Sequence, residues 1–377
     1  MTPTRSITLF VDPPSYHFER DRLFDVSRAQ ISGDRILEPY IHTRERLAAL
    51  GVATHTADLL ESGEVEARPG DLFVTVGMHR RYRKVHHRHG VLLSAFLVPE
   101  CPIVNPPLYE ELYDASHVFK RMYSFSEDDA LRPFLRGPVT FRPFRYPYPF
   151  DRVDDGAWGR RERRLLVMIN GNKLPPLKTR ELYTERLRAL EYFGDRGEID
   201  LYGVGWDGPP FRVGDSRVPR AVRRLGYLAE KQWDRLRPGR DPLLTAARRA
   251  YQGPVVSKSD TLAGYVFSIC FENMVLEGWV TEKIFDCLRA GTIPVYLGAP
   301  DIERWVWPEC FVDMRHFAGY EELREFLHGL SPDEIQAYRE AGRRYFASEE
   351  FRPFTKQAFA EIFQEIVRED AGVELER

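Results

Sequence analysis

The sequence predicts an α/β protein made of two Rossmann-like domains that face one another across a cleft, with parallel sheets in both. Three observations lead there. The chain has 377 residues with 43% hydrophobic and 13% aromatic content, which exceeds what one hydrophobic core usually serves. Short apolar runs alternate with helical stretches in both halves, the pattern of β-α-β units. Between the halves lies a stretch dense in proline and aromatic residues, Phe141 to Arg164, and prolines cannot sit inside helices or central strands.

The first domain, residues 1–158, opens with the strand ITLFV (Ile7 to Val11) and a helix around Ile36 to Leu50. The strands GVATHTA (Gly51 to Ala57) and DLFVTVG (Asp71 to Gly77) follow, then a basic stretch and the strand VLLSAFLVP (Val91 to Pro99). The second domain, residues 159–345, begins with LLVMIN (Leu165 to Asn170), a helix from about Arg180 to Phe193, and EIDLYGVG (Glu198 to Gly205). It continues with YVFSICFEN (Tyr265 to Asn273), the helix TEKIFDCLRA (Thr281 to Ala290), TIPVYLG (Thr292 to Gly298) and CFVDM (Cys310 to Met314). Helices broken near Pro353 end the chain, and residues 346–377 are predicted to be a separate helical segment. Ligands are expected at the carboxyl ends of the strands.

A formal net charge of -3 gives no overall field to gather nucleic acid or a membrane surface, so any anion site must be local. Cys101, Cys270, Cys287 and Cys310 lack any C-x-x-C spacing, which argues against a zinc site and against a disulfide framework. Reduced thiols in the cytoplasm fit best. No stretch approaches the ~20 apolar residues that span a bilayer, so a soluble protein is expected, with at most peripheral membrane contact.

The densest chemistry lies in FENMVLEGWVTEKIFDCLRAGTIPVYLGAP, Phe271 to Pro300. Thr281 suits the N-cap, Ile284, Phe285 and Leu288 form an apolar stripe, and Gly291 can close the helix in the left-handed conformation. Lys283 stands in the first turn, where the helix dipole opposes a cation. In one reading Glu282 offsets the helix charge and Lys283 points to solvent; in the other, the helix start and Lys283 together hold a phosphate. Asn273, Gly278 and the aromatic Trp279 fit the second reading, as a turn and a flat face suited to a base or sugar.

This stretch resembles the donor-binding signature of the family 10 glycosyltransferases, the α1,3/4-fucosyltransferases, of bacterial type: FEN, a few residues, G-Y-x-T-E-K, a helix, then P-[VI]-Y-x-G-[AS]-P. The spacing matches throughout, with Trp279 standing where the family usually has tyrosine. LLVMINGNKLPPLKTRELYTERLRAL followed by DLYG is similar to a second family segment, and Arg180 matches its arginine, while Asn170-Gly171-Asn172 departs from the usual Ser-Asn. FVDMRHFAGYEELREFL resembles a third. In the first half, LVPECPIVNPPLY resembles the family's E-S-P segment with Cys101 in place of serine, and Glu100 falls on the position of the proposed catalytic base.

The resemblance implies the GT-B architecture and inverting transfer of fucose from GDP-fucose to an acceptor glycan, an oligosaccharide or lipid-linked glycan, in α1,3 linkage to a GlcNAc or Glc unit. Arg180 and Lys283 would grip the pyrophosphate, Asn273 and Trp279 would line the donor site, Glu282 would contact the donor, and Glu100 would take the acceptor proton. The chain contains no Asp-x-Asp, so no metal or other cofactor is expected and cations of the protein would neutralise the leaving group. Two alternatives remain: a transferase of the same fold using another nucleotide sugar, and a non-catalytic nucleotide-sugar-binding protein. The basic run HRRYRKVHHRH, His79 to His89, reads either as a solvated face or as a contact for an anionic acceptor.

Overall fold

A computed structural model describes residues 7–27, 35–77, 80–88, 90–175, 177–213, 220–236 and 241–372. The chain groups into two compact units. Unit one contains residues 1–100, 108–150 and 352–377, and unit two contains residues 101–107 and 151–351. Each is an open parallel sheet with helices, as the alternation of strand and helix predicts.

Unit one is built on β1 (Ile7–Asp12), β2 (Val52–Thr56), β3 (Leu72–Thr75), β4 (Leu92–Val98), β5 (Arg121–Ser124) and β6 (Arg142–Pro143). They pair in the order β2-β1-β3-β4-β5-β6, parallel throughout. β4 is apolar along nearly its whole length because both of its faces are covered, as central strands of parallel sheets require. Helix α1 (Glu38–Ala48) follows β1 in sequence, and α2 (Tyr82–Arg88) carries the basic run.

Arg80, Arg83 and Lys84 of that run are exposed, as the solvated-face reading expects, and among the described side chains the cations are paired with carboxylates. Arg80 and Arg83 both bind Glu111, which is buried, Arg81 binds Asp12, Glu19 and Glu61, and Lys84 reaches Glu61 at 2.7 Å. Carboxylates of its own unit thus neutralise these cations. His79 and His89 lie outside the described residues.

The segment expected to stand apart at the carboxyl terminus ends in unit one. Its helix α6 (Lys356–Ala371) buries Phe359, Phe363, Ile366 and Val367, a stripe at helical spacing, and sets Phe359 edge-on to Tyr40 of α1 at 5.3 Å. Before it, Tyr148 N–H donates to the Phe354 carbonyl at 2.7 Å. Arg121 and Lys120 donate to Asp370, whose side chain is buried, at 2.8–2.9 Å. An amphipathic helix must cover its apolar face, and α1 offers the matching surface.

Burial pushes the Asp370 carboxyl up, but the hydrogen bonds from Arg121 and Lys120 outweigh it and bring it down to about 2. The folded value lies below the ordinary 3.8, so the stabilisation is complete above that pH and fades as pH falls through about 2. Urea denaturation followed from pH 4 to pH 2 is expected to show a steep loss of stability that is shallower in Asp370→Asn.

Unit two pairs its main strands in the order β11-β9-β7-β12-β13-β14, all parallel. These are β7 (Arg164–Ile169), β9 (Ile199–Tyr202), β11 (Tyr251–Gly253), β12 (Tyr265–Phe271), β13 (Ile293–Leu297) and β14 (Val312–Asp313). The short strands β8 (Lys173–Leu174) and β10 (Phe211–Arg212) form a separate parallel pair. Helices α3 (Tyr183–Gly194), α4 (Arg220–Leu236) and α5 (Glu282–Ala290) belong to this unit. Phe267, Ile269, Phe271, Val295, Leu190 and Phe193 are among the residues of its core. Strand order reverses between β7 and β12: from β7 the chain runs outward through β9 to β11, and from β12 it runs the other way through β13 to β14. Among the described residues no helix is long and apolar enough to cross a membrane.

Candidate functional site

A reversal of strand order opens a crevice at the carboxyl ends of the two strands beside it. Two loops meet at this one. The loop after β7 arrives at Arg180, and the loop after β12 runs through Glu272, Asn273 and Met274. They are sewn together: Leu182 N–H donates to the Asn273 carbonyl at 3.0 Å, Val275 N–H donates to the Arg180 carbonyl at 2.8 Å, and Glu181 bridges Met274.

Arg180 adopts φ of +56°, the left-handed region, which costs a residue with a β-carbon about 1 kcal/mol. For this reason the helix predicted to start near Arg180 starts instead at Tyr183, after Glu181 has accepted the Thr184 N–H at 2.9 Å. The Arg180 side chain is left exposed at the crevice loop.

The partner of Lys283 comes from the strand beneath it. Glu272, fully buried at the end of β12, accepts from Lys283 Nζ at 2.9 Å and from both the N–H and the hydroxyl of Thr281 at 2.9 Å. Lys283 also donates to Thr281 Oγ1 at 2.8 Å, which commits two of its three ammonium hydrogens. Burial pulls the Lys283 ammonium down, but Glu272 and Glu282 outweigh it and hold it above the usual lysine range. Burial likewise pushes the Glu282 carboxyl up, and Lys283, with an Nζ 3.8 Å from its Oε1, together with Lys258 holds it below the usual range. Both groups are ionised at neutral pH.

Neither sequence reading of Lys283 is complete, because its first counter-charge is a buried carboxylate. Thr281 occupies the N-cap position as expected, but its side chain makes no hydrogen bond to the helix N–H groups since its hydroxyl serves Glu272 and Lys283. Gly291 closes α5 at φ +68°, also as expected. Gly298 is needed for packing: a β-carbon there would lie 2.6 Å from both Glu272 Cγ and Tyr296 Oη. Only glycine lets the end of β13 close over the carboxylate.

Arg186, which sequence reasoning missed, organises the same loop from α3. It is 5% exposed and donates to the carbonyls of Phe271 and Glu272, each at 2.6 Å, and to Asn273 Oδ1 at 3.1 Å. Burial draws its pKa down against the opposing pull of Tyr183, Glu272, Cys270 and Cys101. The signal was an arginine within the apolar stripe of α3, beside Tyr183, Leu187 and Leu190. Glu272 was missed as well, and its signal was a carboxylate directly after seven apolar-rich strand residues.

Trp279 requires correction as a donor-lining face. It is 2% exposed, because Gly278 at φ +71°, its N–H bound to Asp301 Oδ1 at 2.8 Å, turns the indole inward. Asn273 is half-buried, and its side-chain oxygen is held by Arg186. Arg180, Asn273, Glu282 and Lys283 therefore belong to one sheet edge, with Trp279 packed behind it.

Glu100 is carried by unit one, just past the carboxyl end of β4. It is partly buried, and its carbonyl accepts the Tyr109 hydroxyl at 2.6 Å. The next residues, Cys101–Pro107, group with unit two. All four cysteines are buried free thiols.

Two other features lie outside this edge. A cavity of about 560 Å³ sits at the amino ends of β7 and β12, lined by Arg160, Arg163, Arg164 and Tyr265 among others. Among the described residues one trio has metal-like spacing, Glu303, Asp313 and His316, but Arg315 already grips the Asp313 carboxylate at 2.9 and 3.0 Å. A guanidinium so placed repels a cation.

Residues 249–363 match the family model Glycosyltransferase family 10 (fucosyltransferase) C-term. A 76-residue stretch is 37% identical to the α-(1,3)-fucosyltransferase FucT of Helicobacter pylori, covering 20% of this chain and 16% of that protein. A 45-residue stretch is 49% identical to GDP-fucose protein O-fucosyltransferase 3 of Xenopus tropicalis, covering 12% of this chain and 10% of that protein. The chain thus spans less than a fifth of the length of these curated relatives. Among solved structures, Anabaena HepE in complex with UDP-glucose is similar over 97% of this chain and 100% of that one, at 11% identity and a TM-score of 0.51. That likeness is one of fold. The family resemblance read from Phe271 to Pro300 thus holds for the segment that the family model covers.

Proposed function

From a carboxyl-terminal segment that carries the family 10 glycosyltransferase model, we propose that this protein is a glycosyltransferase that moves fucose from GDP-fucose to a hydroxyl of an acceptor glycan. The reading rests above all on the Glu272–Thr281–Lys283 cluster at the start of α5, within the matched segment. A nucleoside diphosphate gains negative charge as the glycosidic bond breaks, and a fixed cation at a helix amino end stabilises it. Lys283, held rigid by Glu272, supplies that cation with one donor uncommitted, and Arg180, exposed at the neighbouring loop, supplies a planar fork for phosphate oxygens.

Asn273 and Glu282 belong to the same edge, and Glu282, ionised beside Lys283, is the donor-contacting carboxylate of the proposal. Glu100 would deprotonate the acceptor hydroxyl, which attacks the anomeric carbon opposite the leaving diphosphate and inverts it. The acceptor is proposed to be an oligosaccharide or lipid-linked glycan, joined in α1,3 linkage to a GlcNAc or Glc unit. The setting proposed is the cytoplasm.

The test is donor identity. GDP is expected to raise the melting temperature more than UDP or ADP, and GDP-fucose to be hydrolysed slowly in preference to other sugar nucleotides. Absence of a preference for GDP would sink the reading. We further propose that turnover needs no metal, since the chain has no Asp-x-Asp and the cations at this edge can take the leaving-group charge. Full activity in excess EDTA is the expected result, and loss restored by manganese would overturn it.

A further inference from the structure

Arg186 of α3 is a guanidinium taken out of water with no carboxylate in contact with it among the described residues. Its partners are the Phe271 and Glu272 carbonyls at 2.6 Å, Asn273 Oδ1 at 3.1 Å, and the Tyr183 ring, whose centre lies 4.7 Å from its Cζ. Burying a cation without an ion pair is costly, and a neutral donor could satisfy the backbone carbonyls. What only a guanidinium contributes is found at Asn273.

An arginine has donors and no acceptor, so of the two ends of the Asn273 amide only the oxygen can face it. Arg186 thereby selects the orientation of that amide. The NH2 group stands on the other side of Cγ, with two hydrogens that bond to nothing among the described residues. The Asn273 backbone is held as well, since its carbonyl accepts from Leu182 N–H at 3.0 Å. The residue is half-buried, on the loop that leaves β12 at the crevice. A lysine at position 186 would bring the same charge as a single point, without the fork that reaches two carbonyls and an amide at once.

We infer that Arg186 is a positioning residue of the nucleotide site: it commits the Asn273 NH2 to an acceptor oxygen of the bound nucleoside diphosphate. The inference rests on the proposed function for the identity of that ligand, and adds which atom of Asn273 meets it and what orients that atom. Lys283 and Arg180 would meet the diphosphate as charges, whereas Asn273 would meet one oxygen through a directed neutral hydrogen bond. A flipped amide would set its own oxygen against that of the ligand. Arg186 therefore acts on affinity through Asn273, without touching the nucleotide.

Calorimetric titration with GDP of the wild type, Arg186→Lys, Asn273→Ala and the double variant tests it. Each single substitution is expected to raise the Kd at least about fivefold, and the double variant to bind within about twofold of Asn273→Ala. A merely structural arginine predicts a lower melting temperature with the affinity of the folded protein unchanged, or two losses that multiply in the double variant. Either result overturns the inference. A second measurement on the wild type does not depend on how Arg186→Lys folds. The chain has four asparagines, so isotope-labelled asparagine gives four side-chain amide signals, and the one missing from Asn273→Ala is expected to shift when GDP binds. An unmoved Asn273 amide in GDP-bound protein overturns the inference. A wild type that does not bind GDP fails the proposed function itself, and this inference with it; GDP binding that the variants leave unchanged fails this inference alone.

Discussion

Lys283→Ala is expected to lower stability by about 3 kcal/mol, read as a reduced urea midpoint at unchanged slope, and to weaken GDP binding more than tenfold. The stability loss follows from Glu272, whose fully buried carboxylate would lose its ion pair with Lys283 and keep the Thr281 donors, Arg186 reaching the Glu272 carbonyl instead. Removing one member of a buried ion pair leaves an uncompensated charge, which costs more than the pair contributes. The binding loss follows from the donor that Lys283 retains for an anion.

These two effects can be separated. Glu272→Gln combined with Lys283→Ala removes the buried charge along with its partner, so stability should recover in large part while GDP affinity stays low. If GDP affinity recovers with stability, the lysine serves only Glu272 and the phosphate role is wrong. If the single variant melts like the wild type, the buried pair itself is in error.

Glu100→Gln is expected to reduce turnover by about two to four orders of magnitude while the affinity for GDP stays within about twofold of wild type. A general base acts on the acceptor hydroxyl, whereas the proposed diphosphate contacts come from unit two, so chemistry and nucleotide binding should part company in this variant. The amide is close in size to the carboxylate and leaves the backbone carbonyl free to accept the Tyr109 hydroxyl, so folding should be spared. Equal turnover in the variant would remove Glu100 from the mechanism. A wild-type protein that binds GDP yet shows no turnover with any acceptor would favour the non-catalytic alternative.

Much of the fold was legible because parallel sheets leave a strong pattern. Strands covered on both faces must be apolar along their length, so YVFSICF and VLLSAFLV stand out, and the helices between them show their stripes. The carboxyl-terminal helix was legible as a helix but not as part of unit one, because an apolar stripe states that it will be covered without stating by what.

At the site, sequence located the loops and the charged residues on them. The spacing of FEN, TEK and the helix closing at Gly291 follows from local rules of strand ends and helix starts, which operate over a few residues. Which charge meets which is decided across longer distances. Arg186 binds a loop 85 to 87 residues away, and Glu272 reaches Lys283 only because the chain between them turns back over the strand end. Trp279 was misread for the same reason: its residue type permits a stacking face or a buried ring, and the turn at Gly278 chooses the ring's direction.

By itself the sequence determined the two α/β series and the helix of the donor-type signature, which rest on periodicity and short-range spacing, and it carried a resemblance that the family model matches over residues 249–363. Only the tertiary structure decided that Lys283 answers to Glu272, that Arg186 holds the loop, that Trp279 is packed inside, and that the basic run of α2 is neutralised at home. The physical reason is that burial and charge pairing belong to places in space, and a residue's place is set by the packing of segments distant in the chain.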